Sequence, residues 1–519
     1  MKRTLYWQRA GWLMGGTAAV ALAAGCQPQP GASGTAALSA CERMMQLEAP
    51  DVRITSAKAE AGATPLCKVD GVIGREINFS VWMPDKWNGR FLMSGNGGLA
   101  GFIPQPPPDM LARGYAMAGT DTGHTGNPGD SNWSPGEMER QLNFAHLAIH
   151  RAAVTAKFAV KSRYSRAPDK NLFLGCSDGG RQALHEAQRY PDDFDGIIAG
   201  SPVINLPQHT LNQVTIARLM FPNGPETPVI SDGDLTALHN AVLNTCDAVD
   251  GLKDGVINDP PSCAFDPKVL ACKGANADGC LSPPELAAAQ AIYGGTQLDG
   301  KPFAPGYEIG GEVTDFRGWG WHRGGDKAMA GMLPPGAPSP AYAIMSGPWI
   351  DGTQFNFFRT DASGHFSGDI AAIVRNPPLV TATMSPTNPD IDAFRKRGGK
   401  LLMFHGWSDT SLPPRMTLNY LAQVYARDDS ARSDVRLFME PGMLHCESMG
   451  GNLAGPPTPA PVDYVGAIDA WVSGATAPEE IEIRMPNGKG VRKLCAYPTK
   501  PTFKGGQGDG TTPDQFKCR

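Results

Sequence analysis

The sequence has no long basic run, and its 46 Lys and Arg are outweighed by 51 Asp and Glu, for a formal net charge of −5. Phosphate backbones are bound by clustered Lys and Arg, so a nucleic-acid surface is not indicated. No apolar stretch near 20 residues follows the N-terminal segment, which leaves no candidate membrane span in the body of the chain. No segment recurs at a fixed period, which argues against solenoids and propellers. The acidic stretch at 247–259 does not carry the twelve-residue EF-hand spacing.

What is present begins with a targeting segment. Lys2, Arg3 and Arg9 precede a small apolar run, Ala10 to Ala24, that ends in Leu22-Ala23-Ala24-Gly25-Cys26. Residues 1–26 are expected to be a secretory signal, and Gly25-Cys26 resembles a bacterial lipobox with its leucine one position early. Lipidation of Cys26 and ordinary cleavage near Ala21-x-Ala23 are the two alternatives. Either way the protein is expected to be exported, to the periplasm, the outer membrane as a lipoprotein, or the medium. Residues 27–40, rich in Gly, Ala, Ser, Pro and Gln, read as a linker. Eleven cysteines in an exported chain predict disulfides, and setting Cys26 aside leaves an even ten. Cys246 with Cys263 and Cys272 with Cys280 are close in sequence, but sequence alone does not fix the pairing.

The apolar run Asn171–Gly175 stops in Gly175-Cys176-Ser177-Asp178-Gly179 and is followed by a helical pattern. Strand, sharp turn and helix are the context in which G-x-S-x-G lifts a serine above a sheet edge. Strand patterns at 77–83, 89–93, 115–119, 171–175, 194–199, 399–404 and 435–439 alternate with helices at 139–157, after Ser177, at 413–427 and at 463–473. This predicts a mostly parallel sheet covered on both faces. The rhythm breaks between 203 and 394. The expected organisation is therefore an α/β-hydrolase core in two parts, 41–202 and 395–519, with a lid domain at 203–394.

A serine hydroxyl needs a base to take its proton and a third group to orient that base. Asp409 and His445 each sit just past an apolar strand, in the chain order Ser, Asp, His. Ser177, Asp409 and His445 are thus the expected nucleophile, acid and base. Asp178 is adjacent to the nucleophile and reads as a helix-start or pocket residue, His185 as structural, and His405 as a strand-end rival to Asp409. His124 either lines the pocket or satisfies its loop. The transition-state oxyanion needs fixed donors, expected from the N–H of Asp178 and from the glycine loop Gly95–Gly98, with Gly98 or a neighbour as candidate. Cys176 and Cys446 flank Ser177 and His445, so assembling the triad brings them together and predicts a disulfide.

Within 203–394, Asp247, Asp250 and Asp254 with the Leu252 and Val256 carbonyls form a candidate structural calcium loop; a solvated acidic turn is the alternative. Trp319, Trp321, Trp349, Phe355, Phe357 and Phe358 either stack on an aromatic acyl group or form lid core.

With G-C-S-D-G-G (175–180), G-T-D-T-G-H (119–124), C-D-A-V-D-G-L-K-D-G (246–255), H-G-W-S-D (405–409) and P-G-M-L-H-C (441–446) together, the chain resembles the tannase/feruloyl esterase family over about 41–518. That family includes the mono(hydroxyethyl) terephthalate hydrolases. The resemblance implies a serine carboxylesterase acting on small aromatic or phenolic esters of feruloyl or galloyl type. Terephthalate monoesters are the narrower alternative, and a noncatalytic exported binding protein is the reading from another class. The resemblance also implies calcium at Asp247, Asp250, Leu252, Asp254 and Val256. Its disulfides would be Cys176–Cys446, Cys41–Cys67, Cys246–Cys263, Cys272–Cys280 and Cys495–Cys518. Arg323 and Arg359 are the candidates for holding a substrate carboxylate.

Overall fold

The computed structural model describes residues 39–223, 227–274, 279–324, 339, 379–449, 460–485, 488–506 and 508–519. Strands β1 (Val52–Glu60), β2 (Leu66–Ile73) and β3 (Ile77–Pro84) open the chain as an antiparallel meander. They are followed by β4 (Arg90–Ser94), α1 (Pro108–Ala112), β5 (Ala116–Thr120), α2 (Met138–Leu142) and α3 (Ala148–Tyr164). Next come β6 (Lys170–Cys176), α4 (Asp178–Arg189) and β7 (Gly196–Gly200). Between β7 and the next strand of the sheet lie α5 (Leu206–Met220), α6 (Asp232–Cys246), α7 (Pro283–Gly294), the hairpin β8 (Thr296–Leu298) and β9 (Lys301–Ala304), and α8 (Gly320–Arg323). The sheet resumes with β10 (Lys400–Gly406) and β11 (Val435–Glu440).

The main sheet has nine strands in the order β1-β2-β3-β5-β4-β6-β7-β10-β11. From β5 onward every neighbouring pair is parallel. Parallel strands have both faces covered by helices, so they lose the alternation of a half-wet strand. β7 and β10 accordingly read GIIAG and KLLMFHG, buried almost throughout. α3 and α4 pack on one face with Phe173, Phe194 and Met403. The helix Tyr464–Val472 covers the other with Leu172, Ile198, Leu402 and Phe438. Together these observations define an α/β-hydrolase fold with a large insertion, 201–399, at the C-terminal edge of β7.

The first two strands carry no signal as strong as the others. β1 alternates exposed and half-buried residues at the sheet edge, where a hydrophobic stripe is not required. Residues 143–147, between α2 and α3, form a single wide π-type turn inside what the sequence pattern suggests is one helix. Five disulfides are formed among the described residues: Cys41–Cys67, Cys176–Cys446, Cys246–Cys263, Cys272–Cys280 and Cys495–Cys518. No helix among the described residues is long and apolar enough to cross a membrane. Cys26, the signal segment and residues 27–38 of the linker lie outside the described residues.

Candidate active site

Ser177 caps β6 with φ +63° and ψ −121°. A non-glycine residue pays for positive φ, and such outliers gather where a side chain must be aimed. The turn is held by its own backbone: Ser177 N–H donates to Gly200 O of β7 at 3.0 Å, and Ser177 O accepts from Arg181 N–H at 3.1 Å. A Cβ on Gly175 would run into the Gly179 carbonyl, so the first glycine of the motif is what lets strand and helix meet this closely.

Asp409 is fully buried beyond β10. Its Oδ1 accepts the N–H groups of Ser411 and Leu412, both at 2.9 Å. Its Oδ2 receives His445 Nδ1 at 2.7 Å and stands 3.2 Å from His405 Nε2. Burial pushes this carboxyl up, yet the His445 and His405 rings outweigh burial and hold it well below the usual carboxylate range. His405 has its other nitrogen on Thr417 Oγ1 at 2.8 Å, which fixes it as a support of the acid. His445 follows β11, and its N–H donates to Arg317 O at 3.3 Å. The Cys176–Cys446 bond joins the residues beside Ser177 and His445, with their Cα atoms 6.0 Å apart. Ser177, Asp178, Gly98 and His445 line one cavity of about 70 Å³, whose apolar walls include Leu99, Phe144, Leu206, Trp321 and Met384.

Asp178 opens α4, so its N–H lies in a first turn that has no intrahelical acceptor. Its carboxylate is taken up by its own helix, accepting from Arg181 Nε at 2.6 Å and from Gln182 Nε2 at 2.8 Å. Gln182 Oε1 in turn accepts Asn96 N–H at 3.0 Å. This chain of bonds ties the helix behind Ser177 to the glycine loop. Gly98 has φ +56°, and a Cβ there would strike Pro128. Arg181 spends its remaining donors on the carbonyls of Phe144 and Ala145 in the wide turn, a use that explains why the helix pattern is broken there.

Other candidates fall elsewhere. His124 does not line the cavity: it stacks on Trp133 at 3.8 Å and its Nε2 lies 3.0 Å from Leu99 O. It supports the loop after Gly98. His185 is buried with Nε2 on Met384 O at 3.0 Å. Trp319 is core, while Trp321 reaches the cavity. Arg323 is buried and committed to Ile230 O, Gly324 O and Asp232. Trp349, Phe355, Phe357, Phe358 and Arg359 lie outside the described residues.

The calcium expectation is overturned. Among the described residues no group of three or more His, Cys, Asp or Glu is arranged to hold a metal ion. In the loop, both Asp247 oxygens accept Gly255 N–H, at 3.0 and 2.9 Å. Asp250 bonds Leu252 N–H at 2.9 Å. Asp254 bonds the guanidinium of Arg492 and, through Oδ1, Val256 N–H. The carboxylates of Asp247, Asp250 and Asp254 are therefore drawn to protein N–H groups rather than converging on one point with the Leu252 and Val256 carbonyls. Arg492, more than 200 residues away, pairs with one of the three carboxylates, that of Asp254.

Sequence reasoning missed the Asp178–Gln182–Asn96 chain, the Arg181 clamp, and His209 and Ser411 on the cavity wall. The Arg at the fourth helical position after the serine was a visible signal for the clamp. His209 depends on how α5 packs, which no local pattern reveals.

Residues 62–519 match the family model described as tannase and feruloyl esterase. An uncharacterized esterase of Xanthomonas campestris pv. campestris is 33% identical, covering 93% of this chain and 91% of the relative. Mono(2-hydroxyethyl) terephthalate hydrolase of Piscinibacter sakaiensis is 30% identical, with 89% and 86% covered. The crystal structure of feruloyl esterase B from Aspergillus oryzae superposes with a TM-score of 0.78 at 26% identity, covering 92% of this chain and 99% of that one. Nearly the whole described chain, insertion included, is thus shared with esterases, and the protein belongs to the tannase and feruloyl esterase family of carboxylic ester hydrolases.

Proposed function

We propose that the protein hydrolyses esters of aromatic or phenolic acids through an acyl-serine intermediate at Ser177. His445 Nε2 takes the Ser177 proton as Oγ attacks the ester carbonyl, and Asp409 holds the ring and balances the imidazolium charge. The N–H groups of Asp178 and Gly98 face the developing oxyanion. Collapse of the tetrahedral intermediate expels the alcohol with the proton from His445. Water, deprotonated by the same ring, then attacks the acyl-serine and releases the acid.

One observation carries this reading: the buried Asp409–His445 hydrogen bond and the strained Ser177 meet at one mostly apolar cavity. Relatives named feruloyl esterase and mono(2-hydroxyethyl) terephthalate hydrolase support an aromatic acyl group. A terephthalate monoester also needs a cation for its free carboxylate; of the two candidates, Arg323 is spent elsewhere and Arg359 lies outside the described residues. The terephthalate monoester is kept as the alternative substrate. The division into 41–202, a lid at 203–394 and 395–519 belongs to the same reading.

Methyl ferulate, methyl gallate and mono(2-hydroxyethyl) terephthalate, each offered to wild type and Ser177→Ala, test it. Wild type is expected to release acid from at least one, at a rate lowered about 10³-fold or more in the variant. Equal turnover by both proteins overturns the assignment, and binding without turnover favours the noncatalytic alternative. Five disulfides favour an exported protein. Lipid attachment at Cys26 is checked by the intact mass of the mature N-terminus.

A further inference from the structure

Most polar groups in the cavity wall are already spent. Arg181 and Asp178 bond each other, and Arg181 also takes two carbonyls. Two side chains are different. His209 and Ser411 both line the cavity, with relative exposures of 6% and 1%. Neither His209 Nδ1 nor the Ser411 hydroxyl has a hydrogen-bond partner among the described residues. A buried polar atom left unpaired costs about 1–3 kcal/mol, and native structures keep few of them.

Their surroundings hold both residues in place without using them. On α5, His209 shares a face with Asn212 and Gln213, three and four residues on. Asn212 bonds Pro305 O and the Thr296 hydroxyl, at 3.2 and 2.7 Å. Gln213 Nε2 bonds the Tyr307 hydroxyl at 2.9 Å and Ser411 O at 3.1 Å. Ser411 N–H is taken by Asp409 Oδ1. The backbone of Ser411 is therefore fixed from both sides while its hydroxyl is free to turn. Burial, aided by the nearby His445, holds the His209 ring at a pKa of about 4, so it is neutral near pH 7 and offers one acceptor and one donor nitrogen.

A neutral imidazole and a hydroxyl complement a group that both donates and accepts. A carboxylate would want a cation here, and a purely apolar ring would leave both side chains unpaired. We propose that His209 and Ser411 form a hydrogen-bonding patch that reads a phenolic hydroxyl on the acyl ring, with His209 accepting a hydrogen bond from its O–H and Ser411 donating one to its oxygen. Within the apolar cavity this makes them specificity residues for hydroxylated aromatic acids. The inference rests on the aromatic-ester reading above and goes beyond it by assigning the choice of acid to two named side chains.

The test compares methyl 4-hydroxycinnamate with methyl cinnamate, which differ by one hydroxyl, on wild type, His209→Phe, Ser411→Ala and His209→Gln. Wild type is expected to favour the hydroxylated ester in kcat/KM by about 10-fold or more, the worth of two neutral hydrogen bonds. His209→Phe and Ser411→Ala should each cut that ratio by about fivefold, and His209→Gln, which keeps an acceptor, by less. A ratio near one in wild type, or an unchanged ratio in both Ser411→Ala and whichever His209 variant folds, overturns the inference while leaving the esterase reading intact. Failure of wild type to hydrolyse either ester overturns the inference, and the aromatic-ester reading falls with it only when methyl ferulate, methyl gallate and mono(2-hydroxyethyl) terephthalate are also left intact.

Discussion

At the scale of single residues, the buried carboxyls beneath the site differ in what offsets their burial. Asp409 has two imidazoles and two N–H groups; Glu440, at the end of β11, has the Tyr464 hydroxyl at 2.5 Å. Burial pushes the Glu440 carboxyl up to about 7, from an ordinary 4.5. Its folded pKa is raised, so the stability it supports is fully present below about pH 4.5 and is lost as pH rises through 7. By linkage the loss amounts to about 3 kcal/mol. Glu440→Gln, which keeps the acceptor for Tyr464, is expected to flatten the melting temperature against pH over this window relative to wild type. Parallel wild-type and variant curves in calorimetry would refute it.

How much of the site was legible also sorts by residue. Ser177, Asp409 and His445 each follow an apolar strand of five or six residues, and such runs show in a single sequence because parallel strands are buried on both faces. Gln182, His209 and Ser411 carry no such mark. Their neighbours come from the glycine loop or across the insertion, and only the folded chain brings them together. Asp254 misled for a related reason: calcium and a distant guanidinium ask for the same carboxylates, and the sequence around 247–256 cannot tell which one answers. β1 went unread because an edge strand needs no apolar stripe, whereas β2 buries Cys67, Val69 and Ile73 at alternate positions, a stripe that was visible and passed over.

At the scale of elements, two cross-links set the site. The Cys176–Cys446 bridge spans 270 residues of sequence and pins the turn after β6 to the loop after β11. Replacing both cysteines by alanine is expected to cost about 2–4 kcal/mol of stability. It should also lower kcat by about 10- to 100-fold, because the spacing of nucleophile and base is no longer enforced. Unchanged kcat in a folded variant would show that the strands alone hold that spacing. The second cross-link is Arg492, in the strand Val491–Cys495, which ties the 247–256 loop to the C-terminal tail through Asp254. Arg492→Ala leaves a largely buried carboxylate unpaired and should destabilise by about 3 kcal/mol. Exhaustive dialysis of wild type against a chelator should leave its melting temperature unchanged; a clear drop would return a metal to the structure.

At the scale of the whole molecule, nine strands form one sheet, and the 201–399 insertion falls between the neighbouring parallel strands β7 and β10. In the proposed mechanism the sheet supplies nucleophile, acid and base from three strand ends; the insertion supplies His209 and Trp321 to the cavity wall, and the loop after β10 supplies Ser411. The proposed specificity residues thus come from both parts of the chain. All five disulfides lie within the described body, so folding yield should follow redox conditions. Expression in a reducing cytoplasm is expected to give little active enzyme, and an oxidising compartment to restore it; equal specific activity from both would show the bonds to be dispensable.

The Cys176–Cys446 bond has one more consequence, concerning covalent continuity. It closes residues 177–445 into a ring, so any single proteolytic cut within that span leaves both fragments joined. A nicked sample should run as one full-length species without reductant and as two shorter bands with it. An enzyme working among secreted proteases would then keep its nucleophile and its base on one molecule after the insertion has been cut.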